Sequence, residues 1–391
     1  VSCGTYESMN FAIEPMSFPQ NWRKDFIKAI KDEVSLPVIA VSKIREAEVA
    51  EQLLEEGVVD FASIGRPLLS DPDFANKAIE GNGGHIRKCI SCLFCFEELN
   101  KGSQVVCAVN PLTGFEAKYP ERGKTKDPKK VVIVGAGPAG LAAAEALADH
   151  GHEAVVFEKS DGIGGQVRIG MNPPKKDQLV WFMEYYEKLI GDSTIDVRLE
   201  QEADPESVKA LKPDVVLLAL GAKPITLDIP GADRPHVYSV EDILSGSVDL
   251  KDKTVAVVGS GLTGLETAEL LQVEGNKTLI VEMLEEIAPG SYVQNLMDVT
   301  SRLSEEKTEY LTSHKLTRIE DGSIEMENVK SGESVKREVD AVVLSVGYQP
   351  DQALIDSFAE TAPVVKTIGD AVDVSNIGMA VRSGYSTAYE I

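Results

Sequence analysis

The chain has 391 residues, a formal net charge of −24, 43% hydrophobic residues and 5 cysteines. The length allows two or three domains with their own cores, and the apolar content belongs to a globular chain rather than a disordered one. Such an acidic balance excludes nucleic acid and anionic membrane surfaces as natural partners. The longest apolar run, near Val215–Leu220, is far too short to cross a bilayer.

Read in chain order, Ser2–Tyr6 resembles a strand end entering a loop. The sequence begins at Val1 in mid-pattern, from which a missing N-terminal portion is expected. Trp22, Phe26, Ile27, Ile30 and Val34 share one helical face. Leu36–Val41 reads as a buried strand, Glu46–Gly57 as a helix closed by glycine, and Val58–Ile64 as a second buried strand. Gly65-Arg66-Pro67 and a short helix from Asp71 follow. Strand and helix alternate through short loops, which is the pattern of a β/α barrel. The last two strand–helix loops of such barrels commonly bind phosphate. Here they carry Ser42-Lys43 and Gly65-Arg66. Glycine lets the backbone approach, and arginine can fork onto a phosphate. A structural turn with a surface arginine is the alternative. A whole barrel has eight strands and about 250 residues, so residues 1–85 should not close on themselves.

The cysteine run comes next. Cys89, Cys92, Cys95 and Cys107 have the spacing C-x2-C-x2-C-x11-C. A tight triplet with a distant fourth thiolate favours a [4Fe–4S] cluster. Structural zinc usually takes two separated pairs, and it remains the main alternative. A disulfide framework fits poorly in a long chain with one odd cysteine, for which no signal peptide is expected. The same usage fits a reducing, cytoplasmic compartment. His85 is read as a polar neighbour of this segment, residues 86–118. Residues 119–130 are charged and contain Pro120, Gly123 and Pro128, so an exposed linker is expected.

The remainder contains one unit used twice. Gly135, Gly137 and Gly140 after Val131–Val134 recur as Gly259, Gly261 and Gly264 after Val255–Val258, at an offset of 124 residues. Glu158 and Glu282 keep the same offset, each closing the next apolar strand. Two copies of G-x-G-x-x-G in this context indicate two dinucleotide-binding units. The first glycine allows a tight turn, the second lets the pyrophosphate approach, and the third brings helix against strand. The helix N-terminus attracts phosphate, and the carboxylate can accept from the adenosine ribose. Lys159 is a further candidate contact. Gly164-Gly165-Gln166 forms a second glycine turn near the first nucleotide. Gly369-Asp370 is expected to end a strand and open a helix, with Asp370 placed to hold a ribityl chain. No cation follows Glu282 in Met283-Leu284-Glu285-Glu286, so NADH is expected over NADPH. The first unit should comprise residues 131–225 and 345–391, with the second, 226–344, inserted in it.

The order of these elements resembles the 2,4-dienoyl-CoA reductase, 2-enoate reductase and trimethylamine dehydrogenase family. The resemblance is carried by Gly65-Arg66-Pro67-Leu68-Leu69 with Asp71-Pro72, the cysteine run, Cys107-Ala-Val-Asn110-Pro111, Gly135–Gly140, Gly164-Gly165-Gln166 and Gly369-Asp370. It implies the C-terminal part of an FMN-binding TIM barrel, a [4Fe–4S] segment and two nested Rossmann-like domains for FAD and NADH. It also implies electron flow from NADH through FAD and the cluster to FMN, for reduction of an activated C=C bond in a small enoyl-CoA, enoate or enone. An amine dehydrogenase, or an electron-transfer subunit docking on a partner, is the alternative; a homo-oligomer is also compatible. Tyr6 stands where the family places a proton donor or substrate contact, with a packing aromatic as the alternative. Ser42 replaces the family's usual glycine.

Overall fold

A computed structural model describes residues 4–5 and 8–391. The candidate proton donor Tyr6 lies outside the described residues. Two compact units emerge. One contains Val1–Arg168, Gln178–Ala222 and Pro350–Ile391, the other Ile169–Asp177 and Lys223–Gln349.

In the first unit, five parallel strands lie in the order Val364–Thr367, Val215–Leu218, Lys130–Val134, Glu153–Phe157 and Asp196–Arg198. The central strands are almost wholly apolar because both faces are covered. Val132, Val134, Val155, Phe157, Val216 and Leu218 fill one face with Val208 and Phe358. Helix Pro138–His150 packs against Ile377–Tyr389, and Gly384 permits this. A Cβ there would lie 1.9 Å from the Ala139 carbonyl oxygen. The C-terminal helix starts at Ile377, capped by Asn376, and not directly at Asp370; only a single turn, Gly369–Ala371, follows the strand.

The barrel segment is thinner than its sequence suggests. Its strands shrink to Ile39–Ala40 and Phe61–Ala62, paired in parallel. Val38 and Ala40 point inward, whereas Leu36, Ile39 and Phe61 are 70%, 51% and 58% exposed. Period-2 alternation explains the split: a two-stranded sheet covers only one face. The helix runs Lys24–Glu33, and Phe26, Ile30 and Val34 are exposed; Ile27 and Arg23 are buried instead.

Residues 119–129 have no regular secondary structure, yet the segment is strapped down. Tyr119 is buried against Tyr385 and Tyr389, and the Tyr389 hydroxyl donates to the Pro120 carbonyl over 2.8 Å.

The second unit repeats the architecture. Its parallel strands run Thr308–Leu311, Lys277–Val281, Thr254–Val258, Ala341–Leu344 and Val237–Ser239. Alternation divides its core. Val255 and Val257 face the helices, with Leu265, Leu271 and Val299. Ala256 and Val258 face an antiparallel meander, His314–Glu320, Ser323–Asn328 and Ser334–Glu338, through Leu316, Ile324 and Met326. The unit is also larger than the expected 226–344. Lys223–Pro224 pairs antiparallel with Tyr348–Gln349, which holds both crossing segments to it. Residues 169–177 join it because Asn172 donates to the Leu244 carbonyl over 2.7 Å and Lys176 pairs with Glu266. Among the described residues, no helix is long and apolar enough to cross a membrane.

Candidate functional site

Cys89, Cys92, Cys95 and Cys107 are half-buried, none of them in a disulfide, and all four line one cavity together with Arg66, Leu69 and Ser91. The loop turns tightly enough to do this because Ser91 and Leu93 adopt left-handed backbone, with φ of 55° and 65°. Helix Phe94–Asn100 starts immediately afterwards, and Phe94 packs on Val106 and Ala108 to bring Cys107 back. Backbone N–H groups bond to these sulfurs: Phe94 to Cys92, Phe96 to Cys95, and Val109 and Asn110 to Cys107. Burial first, then the neighbouring thiols, pushes Cys107 up to about 12 and raises Cys92 and Cys95 as well. Four thiolates could coexist here only around a strongly cationic centre. Among the described residues, no three His, Cys, Asp or Glu side chains converge closely enough to hold one ion. A cluster with an iron opposite each sulfur does not require such convergence. The all-thiol donor set, the shared cavity and the N–H groups aimed at sulfur fit an iron–sulfur centre.

The expected phosphate loops lie beside this cavity but are not equivalent. Gly65 is exposed, and a Cβ placed on it would meet nothing within 4 Å. Arg66 lines the cysteine cavity and is paired with Glu14, through its carbonyl at 3.0 Å and its carboxylate at 2.7 Å. Ser42 is buried, its hydroxyl accepting from the Arg23 backbone at 3.1 Å. Lys43 also turns inward. Its ammonium donates to the carbonyls of Pro15 and Met16 at 2.9 Å and to that of Phe18. Burial, then the charges of Arg45 and Arg66, lowers it to about 7. Ser42 and Lys43 are therefore joined to the protein interior, because buried carbonyls of residues 15–18 need donors.

In the first dinucleotide unit the three glycines have distinct surroundings. Gly135 has φ 106°, and a Cβ there would lie 2.3 Å from the Ala219 carbonyl oxygen. A Cβ on Gly140 would lie 2.0 Å from the Gly135 carbonyl oxygen, whereas Gly137 faces open space. Helix Pro138–His150 begins directly after it, with its first-turn N–H groups unpaired by the helix. Gly164 and Gly165 have φ of 105° and 52°, and a Cβ on Gly165 would approach the Gly137 Cα to 3.2 Å. Gly369 packs on Ala139, where a Cβ would come within 2.7 Å of that methyl. The fold thus gathers Gly137, Gly164, Gly165 and Gly369-Asp370 at one helix start. Burial, then Asp373, raises the Asp370 carboxyl. Lys159 and Gln166 are exposed.

Glu158 does more than close its strand. Its carboxylate accepts from the backbone of Ala136 and of Ser160, each at 2.9 Å. Glu282 repeats this, accepting from Ser260 N–H at 3.0 Å, Ser260 hydroxyl at 2.8 Å and Leu284 N–H at 2.9 Å. Both carboxylates hold their own glycine loops in place. Gly259 and Gly264 are as crowded as their counterparts, and Gly261 is as open. Lys330, distant in sequence, pairs with Glu285 at 2.6 Å.

Sequence reasoning overlooked a second repeated pair. Glu145, inside the alanine-rich helix Pro138–His150, is buried and bonded to Arg87, Tyr185 and Tyr186. Glu269, again 124 residues on, is buried and forks with Arg302 at 2.6 and 2.9 Å. A glutamate among the apolar residues of each helix, repeated at the same offset, was the available signal.

Residues 129–369 match the family described as pyridine nucleotide-disulphide oxidoreductase, and residues 6–83 the NADH:flavin oxidoreductase / NADH oxidase family. The chain is 38% identical, over its full length, to an NADH oxidase of Thermoanaerobacter brockii, of which it covers 61%. It is 32% identical to a cinnamate reductase of Clostridium sporogenes over 99% of this chain and 58% of that protein. A solved 2-naphthoyl-CoA reductase complex superposes with a TM-score of 0.94 at 30% identity, covering 100% of this chain and 59% of that one. The chain therefore spans about three fifths of the length of these relatives. With barrel-type loops, a four-thiol cavity and two glycine-loop units in this order, it belongs to the pyridine nucleotide-disulphide oxidoreductase family, in the branch that resembles 2-enoate and 2,4-dienoyl-CoA reductases.

Proposed function

We propose that this chain takes electrons from NADH and delivers them through FAD and a [4Fe–4S] cluster to FMN, for reduction of an activated C=C bond. The observation that carries this reading is the cavity lined by four cysteines outside any disulfide and by Arg66 of the barrel loop, in the same compact unit as the first glycine loop. When bound, the flavins supply hydride acceptance and the cluster one-electron transfer. The chain's residues bind and orient. Gly135, Gly137 and Gly140, with Gly164-Gly165, leave room for the FAD pyrophosphate at a helix N-terminus. Asp370 is the acceptor for the ribityl chain, and Glu158 orders the loop. Gly259, Gly261, Gly264 and Glu282 do the same for NADH. Gly65 and Arg66 receive the FMN phosphate, and Cys89, Cys92, Cys95 and Cys107 ligate the cluster.

The substrate class is a small enoyl thioester, enoate or enone, a reading supported by relatives named for cinnamate and for a naphthoyl thioester. Free thiols suit a reducing cytoplasm. The test is cofactor analysis of anaerobically purified protein. Iron and acid-labile sulfide in equal amounts, with both FAD and FMN, are expected. Stoichiometric zinc with negligible iron would overturn the cluster, and recovery of ADP in place of FAD would point to the amine-dehydrogenase alternative.

A further inference from the structure

Arg45 lies on the first barrel loop and is 3% exposed. Two bonds fix its guanidinium. Nε donates to the Ser91 hydroxyl at 2.9 Å, and Nη1 to the Ile44 carbonyl at 3.2 Å. Ser91 sits between Cys89 and Cys92, so the loop that presents the thiols also anchors the arginine. The remaining nitrogen, Nη2, is buried with no hydrogen-bond partner among the described residues. Leaving such a donor unmet is costly, because burial removes its water.

The surroundings deepen the problem. Cys89 and Cys95 lie within electrostatic range of Arg45, and so does the Arg66 cation. Lys43 is buried on the same loop, its ammonium held by the carbonyls of Pro15, Met16 and Phe18. Glu14 faces this group, but it is already paired with Arg23 and Arg66. Concentrated buried cations are tolerated when an anion completes the site. Four thiolates around an iron–sulfur core leave a net negative group, whereas free thiols are neutral.

We infer that Arg45 is a positioning residue for the thiolate-bound centre, with Nη2 as the donor available to it, and that its charge raises the centre's reduction potential. The inference rests on the cysteines holding the cluster proposed above. A nearby cation favours the reduced form, which carries one more negative charge. Arg66 is less suited to this role because Glu14 compensates it at short range.

The test is a redox titration of the anaerobic holoprotein, monitored by electron paramagnetic resonance, with dithionite supplying the electron. Arg45→Gln is expected to disfavour reduction at least tenfold, a fall of about 59 mV for a one-electron couple. Arg45→Lys keeps the charge and should hold the midpoint near that of the unmodified protein. An unchanged midpoint in Arg45→Gln with full iron content overturns the assignment. If Arg45→Gln loses its iron, Arg45→Lys decides: retained iron supports the counter-charge role, and lost iron in both variants shows a packing role instead. Unmodified protein without any iron–sulfur signal would overturn the reading of the cysteines themselves; a normal signal with an insensitive midpoint would overturn only the role of Arg45.

Discussion

Arg87 and Glu145 stand 58 residues apart in the chain and meet as an ion pair whose carboxylate is buried and whose guanidinium is mostly so. Tyr185 and Tyr186 donate to the same carboxylate at 2.7 and 3.1 Å, and the Arg87 guanidinium lies 4.5 Å over the Tyr185 ring. The Arg87 backbone N–H donates to Asp71 at 2.9 Å. One side chain therefore ties the entry to the cysteine run to the helix that follows the first glycine loop.

Removing the carboxylate strands the Arg87 charge. Glu145→Ala is expected to destabilise the first unit by about 3–5 kcal/mol in urea unfolding, the usual cost of breaking a buried pair from one side. Glu145→Gln should cost less, since its amide oxygen keeps one acceptor at the site. A loss below about 1 kcal/mol, the scale of a surface pair, would show that water reaches the site.

The glycine positions separate folding from binding. Gly137→Ala places a methyl in open space, so thermal stability should be kept while FAD retention falls at least tenfold. Gly140→Ala drives a methyl onto the Gly135 carbonyl oxygen, so both stability and FAD should be lost. Dialysis with flavin quantification, beside a thermal melt, reads the two effects. Equal retention of FAD in Gly137→Ala and the unmodified protein would remove Gly137 from the pyrophosphate site.

NADH should be used over NADPH by at least tenfold in kcat/KM, about 1.4 kcal/mol. At the site proposed for NADH a 2′-phosphate would meet the Glu282 carboxylate, and Lys330 is already paired with Glu285. Stopped-flow flavin reduction with each nucleotide measures this. Equal or faster reduction by NADPH would refute it. Glu282→Ala should harm NADH use, and it should also loosen the loop that Ser260 anchors.

Cys92→Ser should lower iron content while leaving reduction of FAD by NADH intact and abolishing reduction of FMN. If both flavin reactions slowed together, the centre would be structural rather than a conductor of electrons.

Gly378 touches the cysteine segment. A Cβ there would lie 2.5 Å from the Phe94 ring and 3.1 Å from the Ala108 Cα. Gly378→Ala should cost about 1–3 kcal/mol by overpacking, and Phe94→Leu in the same chain should recover part of it. Additive losses in the unfolding cycle would show that the two positions do not meet.

Much of the architecture was legible because its signals are local. Glycines at a positive φ, apolar strands covered on both faces, and cysteines three residues apart each impose a short-range constraint that the sequence itself displays. The doubled glycine loop and its acidic partner were enough to establish the α/β class and two nucleotide units. The sequence could not say which loop residues face a ligand. Ser42 and Lys43 look like phosphate contacts, yet the carbonyls of residues 15–18 and the Arg23 backbone draw them inward. The linker's composition suggested exposure, but Tyr119 found Tyr385 and Tyr389 from the far end of the chain. Glu145 with Arg87, Glu269 with Arg302, and Arg45 with Ser91 are likewise meetings of side chains distant in sequence. Composition and spacing determined which backbone turns and donor sets this chain can form. Only the tertiary structure decided which charges are buried together, because burial and pairing are properties of what the fold brings alongside, not of the residue itself.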